Sequence, residues 1–140
     1  MVLQRLKVTT DGEGLYEITD LVVEELGKLL PSSGSSGIFY LFIPHVSSAL
    51  MISEAYDPSA KGDVESFIKH LAPRNLPFIT HTLEGPDDSP SHMKSAILHQ
   101  HLALPVEKGE LLLGQWQGIF LAEFRDRRYN RTLMLKFLEG

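Results

Sequence analysis

Three of the six histidines lie where predicted strands end or a predicted helix begins. His45 follows the most apolar strand of the chain, His81 ends a later strand, and His92 falls in the first turn of a helix. These positions could converge on one edge of the fold, and the helix dipole favours the neutral His92 that a metal ligand or a general base requires. The sequence therefore predicts either one shared histidine site or three separate structural histidines.

Six carboxylates accompany these histidines and could bind a divalent ion, orient an imidazole or transfer a proton. They are Glu54, Asp57, Asp63, Glu84, Asp87 and Asp88. We expect Asp57 and Asp88 to cap helices, whereas Glu54 directly follows an apolar strand and could point inward. Because the chain has no cysteine, a metal site must be built from histidine, carboxylates and water. The remaining histidines are expected on the surface: His70, His99 and His101.

A strand predicted over residues 116–124 places Gln117 and Glu123 on one face, because side chains alternate along a strand. That face is either a polar site or a pair of edge positions. The segment 85–88, Gly-Pro-Asp-Asp, precedes a helix and could bind phosphate if a metal lay between the phosphate and the two carboxylates. Walker, GxGxxG, GxSxG and HExxH motifs are absent from the sequence, so the residues alone predict a histidine and carboxylate site without a named reaction.

Charge and composition limit the classes of partner. The 140 residues carry a formal net charge of −5 and are 43% hydrophobic, which is typical of one folded domain over 1–140. The one basic cluster suits a small anion better than a nucleic acid. Apolar runs are too short for a membrane span and the N-terminus does not resemble a signal peptide, so we expect a cytoplasmic protein. The cluster consists of Arg125, Arg127, Arg128 and Arg131.

The hydropathy pattern predicts a strand-rich α+β fold. An alternating strand opens the chain near residues 2–8, with Tyr16 and Ile18 assigned to its partner strand. The continuously apolar segment 38–43 predicts a central strand covered on both faces. Further strands are predicted at 49–53, 78–81, 102–106, 111–113, 116–124 and 132–138, with a polar turn at 125–130.

Capping residues and prolines predict three helices. The first begins with Thr19 or Asp20 as its cap and ends at Pro31. The second begins at Asp57-Pro58, and the third begins at Ser89-Pro90. The expected core stripe of the second helix consists of Val64, Phe67, Ile68 and Leu71.

An ordered set of motifs over nearly the whole chain resembles the YjbQ-like family, whose members are often described as secondary thiamine-phosphate synthase enzymes. The motifs are His45-Val46-Ser47-Ser48-Ala49, Glu54, Asp57-Pro58, His81, Glu84-Gly85-Pro86-Asp87-Asp88, His92, Leu113-Gly114-Gln115-Trp116-Gln117, Glu123 and the arginine cluster. Their order is more specific than any single motif. The chain departs from the usual family pattern at Val46, Ser47, Ala55, Gln115 and the segment 99–101.

The resemblance implies a β-rich α+β sandwich with two or three short helices, assembled as a homotrimer. It implies a divalent metal, zinc or magnesium, bound by His45, His81 and His92. It implies acidic site positions at Glu54, Asp63 and Glu123. The implied catalytic residues are His45, Glu54, His92, Gln117 and Glu123, and the implied substrate-binding residues are Ser47, Ser48, Trp116, Arg128 and Arg131.

The leading hypothesis from this resemblance is a transferase that joins an aminopyrimidine methyl diphosphate to a thiazole phosphate and releases pyrophosphate. A divalent metal together with Arg128 or Arg131 would take up charge from the leaving diphosphate. Two alternatives stay open. One is a metal-dependent hydrolase with Glu54 or Glu123 as its base. The other is a non-catalytic trimeric module that binds a small anionic metabolite.

Overall fold

Two antiparallel sheets and three helices form the fold that the computed structural model describes for residues 2–140. The strands are β1 (Gln4–Asp11), β2 (Gly14–Glu17), β3 (Gly37–Phe42), β4 (Ser48–Glu54), β5 (His101–Glu107), β6 (Glu110–Leu111), β7 (Gln117–Glu123) and β8 (Arg128–Glu139). The helices are α1 (Thr19–Leu29), α2 (Pro58–Leu71) and α3 (Asp88–Ile97). The expected strand-rich α+β sandwich with short helices is confirmed.

The larger sheet has the strand order β1-β8-β3-β5-β6, and the smaller sheet has the order β2-β7-β4. β3 lies at the centre of the larger sheet, as the sequence predicts. In the smaller sheet, the register pairs Ser48 with Glu123 at one end of β4 and Glu54 with Gln117 at the other. These two ends decide which candidate residues can meet within one chain.

The main hydrophobic core lies between the two sheets and is completed by α1. It includes Phe39, Leu41, Leu133 and Leu135 from the larger sheet, Leu50, Ile119 and Leu121 from the smaller sheet, and Val22 and Leu26 from α1. A second cluster joins Ile68 of α2 to Phe120, Ala122 and Leu15 on the other face of the smaller sheet. β7 is therefore buried on both faces, which explains its nearly continuous apolar sequence.

β3 is covered on one face only. Phe39 and Leu41 are fully buried, whereas Ile38 is 46% exposed and Tyr40 and Phe42 are half-buried. The prediction that both faces are covered is wrong for the single chain, because alternate side chains of β3 point to the open side of the larger sheet. That open side carries Ile38, Tyr40 and Phe42 of β3.

The three predicted helices exist, but their starts and faces differ from the predictions. Ile18 occupies the N-cap position of α1, and Thr19 Oγ1 instead accepts a hydrogen bond from the Ile119 backbone N–H at 2.9 Å. Asp57 caps α2 as expected, through a 2.9 Å hydrogen bond from the Ser59 N–H. Of the expected α2 core stripe, only Ile68 is buried. Val64 is partly buried against the second cluster, whereas Phe67 is 64% and Leu71 40% exposed.

Two predictions about strands are wrong. β2, which contains Tyr16, pairs with β7, whereas β1 pairs with β8. Residues 78–81 form neither strand nor helix. Pro77 directly precedes this short run, and a strand needs a partner with which to form its ladder of hydrogen bonds.

The N-cap position of α3 lies two residues before the expected Ser89, because Asp87, and neither Asp88 nor Ser89, occupies it. His92 therefore lies in the second turn of α3 and not in the first. Among the described residues, every helix is too short or too polar to cross a membrane.

Candidate metal and substrate site

His81, Asp88 and His92 place three potential ligand atoms within 4.8 Å of one another. His81 Nε2 lies 2.7 Å from Asp88 Oδ2, and His92 Nε2 lies 3.1 Å from the same oxygen. The centroids of the two imidazole rings are 5.3 Å apart. Two imidazoles and one carboxylate form a donor set that suits zinc and other divalent transition metals. We call these three residues the histidine-aspartate group.

The helix α3 and the segment before it build this group. Asp88 and His92 are four residues apart in α3 and therefore lie on the same helix face. His81 comes from residues 72–87, which form neither strand nor helix. The exposed fraction of the side chain is 53% for His81 and 37% for His92, but only 5% for Asp88. The carboxylate thus forms the floor of the group, and the imidazoles border solvent, where a small ligand can reach them.

The second ring nitrogen of His92 identifies the atom that is available to a metal. His92 Nδ1 lies 2.8 Å from the Val46 carbonyl oxygen. A carbonyl oxygen can only accept, so Nδ1 carries the proton and Nε2 faces Asp88. Metal-binding histidines commonly donate their other ring N–H to a backbone carbonyl in this way. The hydrogen bonding of His92 therefore fits coordination through Nε2.

Arg125 holds the carboxylates at the start of α3. Its Nη1 donates to Asp88 Oδ1 at 2.8 Å, its Nε donates to Asp87 Oδ2 at 2.9 Å, and its Nη2 donates to the Glu84 carbonyl oxygen at 3.1 Å. Asp88 thus gives one oxygen to Arg125 and turns the other towards both imidazoles. Because Arg125 binds one oxygen of Asp88, the other oxygen, which is the potential metal ligand, has a fixed direction.

Asp87 is an ionised structural partner of Arg125. Burial acts to raise the pKa of Asp87, but hydrogen bonds from Arg125 and from the Asp126 N–H outweigh burial and leave the pKa below its usual value. The two carboxylates of the segment 85–88, which the sequence suggests could hold a metal next to a phosphate, therefore both bind Arg125.

Glu123 and Arg131 form a buried ion pair. Glu123 is fully buried and Arg131 is 5% exposed. Arg131 Nε donates to Glu123 Oε1 at 2.8 Å, and its Nη2 donates to Glu123 Oε2 and to Ser47 Oγ. Thr10 Oγ1 donates to Glu123 Oε1 at 2.5 Å. These contacts satisfy both charged groups internally.

His45 lies next to this ion pair and outside the histidine-aspartate group. The Thr132 backbone N–H donates to His45 Nε2 at 3.1 Å, so the neutral ring carries its proton on Nδ1. Burial is the main cause that lowers the pKa of His45, the positive charge of Arg131 adds to it, and Glu123 acts in the opposite direction. That His45 is a third metal ligand stays a prediction.

The structure divides the other candidate residues between the two ends of the smaller sheet. Ser47 and Ser48 lie at the same end as Glu123, and Ser48 Oγ is buried without a hydrogen-bond partner within residues 2–140. Glu54 and Gln117 lie at the other end, about 20 Å away by strand geometry. One chain alone therefore does not bring these two sets of candidates together.

The residues at the far end make local contacts. Glu54 Oε2 accepts hydrogen bonds from the Tyr56 N–H and the Asp57 N–H, at 3.1 and 3.0 Å. Gln117 Oε1 accepts from the Gly114 N–H at 2.7 Å. Trp116 is half exposed and packs edge-on against Tyr56, with ring centroids 5.0 Å apart. Two further candidates are exposed elsewhere: Asp63 on α2 and Arg128 at the start of β8.

An open cleft of about 630 Å³ adjoins the histidine-aspartate group. It lies between residues 42–46 and the C-terminal half of α3, and His92 contributes to its lining. Its size is within the range of small-molecule sites. The same histidine therefore borders both the potential metal position and a space for a substrate.

Two members of this site, Asp88 and Arg125, do not appear among the site residues that the resemblance implies. Asp88 was expected to cap a helix, yet the spacing Asp-x-x-x-His at 88–92 is a detectable signal for two ligands on one helix face. Arg125 is far from α3 in the sequence. Its contact with Asp87 and Asp88 depends on how the β7–β8 turn packs, for which the sequence offers no local signal.

Comparisons with known proteins agree with this fold. The family model described as "UPF0047 protein YjbQ-like" matches residues 4–140. The UPF0047 protein YjbQ of Salmonella typhimurium is 40% identical over 80% of this chain and 79% of its own length. The crystal structure of the conserved hypothetical protein TT1486 from Thermus thermophilus is 40% identical, covers 96% of this chain and 99% of that chain, and has a TM-score of 0.83.

A more distant structure has the same fold throughout. The hypothetical protein APE1520 from Aeropyrum pernix is 26% identical, covers 100% of both chains and has a TM-score of 0.86. The match of the family model over residues 4–140, together with these relatives, leads to one conclusion: this chain belongs to the YjbQ-like UPF0047 family.

Proposed function

We propose that this chain is a small-molecule enzyme that binds a divalent metal at the histidine-aspartate group and acts on a small anionic metabolite. The observation that carries the proposal is the set of three ligand atoms within 4.8 Å, on His81, Asp88 and His92. Its donors match sites that have three protein ligands and keep an open position for water or substrate. The reaction that we propose resembles that of secondary thiamine-phosphate synthase.

In this reaction an aminopyrimidine methyl diphosphate joins a thiazole phosphate, and pyrophosphate leaves. A bound divalent metal would supply positive charge next to the leaving diphosphate. The protein's own contribution is positional: Arg125 orients the Asp88 carboxylate, and the Val46 carbonyl orients the His92 ring. Arg131 is committed to Glu123, so the exposed Arg128 is the better candidate of the two for contact with a phosphate.

The test is an assay of the purified protein with both substrates and either magnesium or zinc, in which product and pyrophosphate are measured. We expect turnover by the wild type and loss of turnover in His92→Ala. His99→Ala is a matched control, because His99 is exposed and lies outside the group. Lack of product from the wild type, or equal product from His92→Ala, would exclude this reaction.

A metal-dependent hydrolase is the second candidate, and the chemistry of the donor set favours it. Two imidazoles with one carboxylate are typical of zinc hydrolases. Elemental analysis after mild purification should find about one zinc per chain in the wild type and much less in His81→Ala. A metal-free protein that keeps full activity on its substrate would exclude this candidate. Binding of an anionic metabolite that stabilises the protein without turnover would indicate the non-catalytic module instead.

We also propose that the chain forms a homotrimer through the open face of the larger sheet. This face combines Ile38, which is 46% exposed, with Leu138, which is 40% exposed and pairs with it across β3 and β8. Phe42 and Met134 form a second apolar pair on the same face, and the Tyr40–Lys136 pair lies between the two. Exposed apolar side chains grouped on one face of a sheet are typical of protein interfaces.

Sedimentation should give the mass of three chains for the wild type and of one chain for Ile38→Lys/Leu138→Lys. Leu21→Lys is a suitable control, because Leu21 is similarly exposed but lies on α1. A wild type that sediments as a single chain would exclude the trimer.

A further inference from the structure

We infer that residues 75–83 form a strap that opens and closes over the histidine-aspartate group and brings in His81 as the last ligand of the metal. The inference deepens the proposed function and rests on it, because the bound metal is what would hold the strap closed. It assigns the entry and release of the metal to one short segment of the chain.

The strap begins at a fixed point on the β7–β8 turn. Arg74, directly before the strap, donates from Nη1 and Nη2 to the two carboxylate oxygens of Asp126, at 2.7 and 2.5 Å. A pair of parallel hydrogen bonds between a guanidinium and a carboxylate fixes the direction of both side chains. Ala72 is only 4% exposed, so the chain just before Arg74 is held in place as well.

The strap ends at the same turn. Glu84, directly after the strap, accepts a hydrogen bond from Arg125 Nη2 through its carbonyl oxygen at 3.1 Å. Asp87 accepts hydrogen bonds from Arg125 Nε and from the Asp126 N–H, both at 2.9 Å. Two consecutive residues of the turn, Arg125 and Asp126, therefore hold both ends. The strap resembles an Ω-loop, a class of surface loops that is frequently functional.

The middle of the strap has few contacts with the rest of the domain. Phe78 is 67% exposed and Leu83 is 96% exposed. Among the described residues, neither hydrophobic cluster includes a residue of the strap. Its backbone hydrogen bonds connect only residues that are three positions apart along the chain. Segments with so few contacts open at a low cost in free energy while the rest of the fold stays intact.

His81 connects the middle of the strap to the domain. Within residues 2–140, its 2.7 Å contact with Asp88 Oδ2 is the only hydrogen bond that the strap makes outside residues 75–85. One hydrogen bond near solvent contributes little net stability, so the metal-free strap should open often. Asp88 and His92 both belong to α3 and keep their positions when the strap opens. These two residues can therefore bind the metal first, and His81 binds it when the strap closes.

Limited proteolysis of the full chain with chymotrypsin tests the opening. Cleavage after an exposed aromatic or leucine residue requires the local backbone to leave its folded conformation. In the presence of a chelator we expect cleavage after Phe78 and Leu83, and zinc should slow this cleavage at least about tenfold. Phe67 is the internal control in the same digest, because it is 64% exposed but lies in α2. Zinc should leave cleavage after Phe67 unchanged.

Calorimetric titration with zinc on the same samples separates the inference from the proposed function. Zinc binding with unchanged cleavage of the strap would overturn the inference and retain the metal-dependent function. Absence of zinc binding would reject the function and the inference together.

The rate of zinc release to a chromogenic chelator gives the second test. Pro77→Gly keeps all three ligands and gives the open strap more conformational freedom, so it should speed zinc release about two- to fivefold. Pro31→Gly is the matched control, because the same substitution then lies in an exposed loop after α1. Equal release rates for Pro77→Gly and Pro31→Gly would count against control of the metal by the strap.

Arg74→Met frees the start of the strap without touching a ligand. The longer free segment costs more to close, so zinc release should become about threefold faster. Arg127→Met, an exposed arginine of the same turn, is the control and should release zinc at the wild-type rate. If Arg74→Met is not folded by circular dichroism, Pro77→Gly decides alone. Wild-type release rates in every folded strap variant would overturn the inference.

Discussion

Arg125 Nη1 lies 2.8 Å from Asp88 Oδ1, the carboxylate oxygen that neither imidazole contacts. The arginine and the histidines therefore share one carboxylate without competing for the same atom. Because Arg125 also binds Asp87, a single guanidinium compensates two carboxylates at the start of α3. The stability of this region and the geometry of the histidine-aspartate group thus depend on the same side chain.

Arg125→Met should destabilise the protein by about 3 kcal/mol, because it leaves two nearly buried carboxylates without their cation. Arg125→Lys should lie between this variant and the wild type, since an ammonium group lacks the planar set of donors that binds both carboxylates. Urea unfolding measures both changes. Arg127→Met, at an exposed position of the same turn, is the control. Equal stabilities of Arg125→Met and Arg127→Met would contradict the role of Arg125.

Arg131→Met should cost about 3–5 kcal/mol of unfolding free energy, because Glu123 would remain fully buried without a partner. The double variant Glu123→Leu/Arg131→Met should be more stable than Arg131→Met alone, since it removes the uncompensated charge. Chemical denaturation measures the unfolding free energy of these variants, and Arg128→Met is the exposed control. If Arg131→Met were as stable as Arg128→Met, the ion pair would have no structural importance.

The stability of the wild type should fall as the pH is lowered through about 6.5, in part because of His45. Burial first, and then Arg131, lower the pKa of His45 in the folded state, while the unfolded chain keeps the ordinary value. Protonation of His45 therefore favours the unfolded state. The stability that the neutral His45 contributes is fully present above the unfolded pKa and is lost as the pH falls from there through the lower folded pKa. His45→Gln should lose less stability than the wild type between pH 7.5 and pH 5, measured as the urea midpoint. His99→Gln should behave as the wild type, and identical pH profiles for His45→Gln and the wild type would refute the expectation.

Gly37→Ala should destabilise the protein by about 1–3 kcal/mol. A Cβ atom at this position of β3 would collide with the backbone carbonyl of Leu138 in the neighbouring β8. Gly34→Ala is the control, because a Cβ atom there meets no other atom within 4 Å. Thermal unfolding of the two variants makes the comparison, and a Tm of Gly37→Ala equal to that of Gly34→Ala would show that the strands can separate without cost.

The sequence predicts most strands and all three helices correctly, because their residues carry local signals. Asp57-Pro58 begins α2 as expected, and the apolar run at 38–43 becomes the central strand β3. The pairing of β2 with β7 was not predictable in this way, because the two strands are about 100 residues apart and the hydropathy pattern of each strand does not identify its partner. The run at 78–81 has the composition of a strand but no partner, and composition alone does not reveal this.

In the candidate site, too, some contacts have a local signal in the sequence and others have none. The proximity of His81 and His92 was expected from their positions at the ends of predicted elements, although one of these elements is absent. Asp88 could have been added from its spacing to His92. The engagement of Glu123 with Arg131 depends on contacts between β7 and β8 that form only in the folded chain, so the sequence left Glu123 open to a catalytic interpretation.

The segment 72–87 carries His81 but takes part in neither sheet. Insertions or deletions between residues 75 and 80 would leave the ladders of hydrogen bonds in both sheets unchanged, so the length of the segment can vary there at little cost to folding. His81 has to stay within reach of Asp88. Asp87 and the Glu84 carbonyl have to stay within reach of Arg125, so the residues just before His81 are freer to diverge than those after it. Within this architecture, new substrate preferences could therefore evolve by changes in one surface segment while the rest of the domain is conserved.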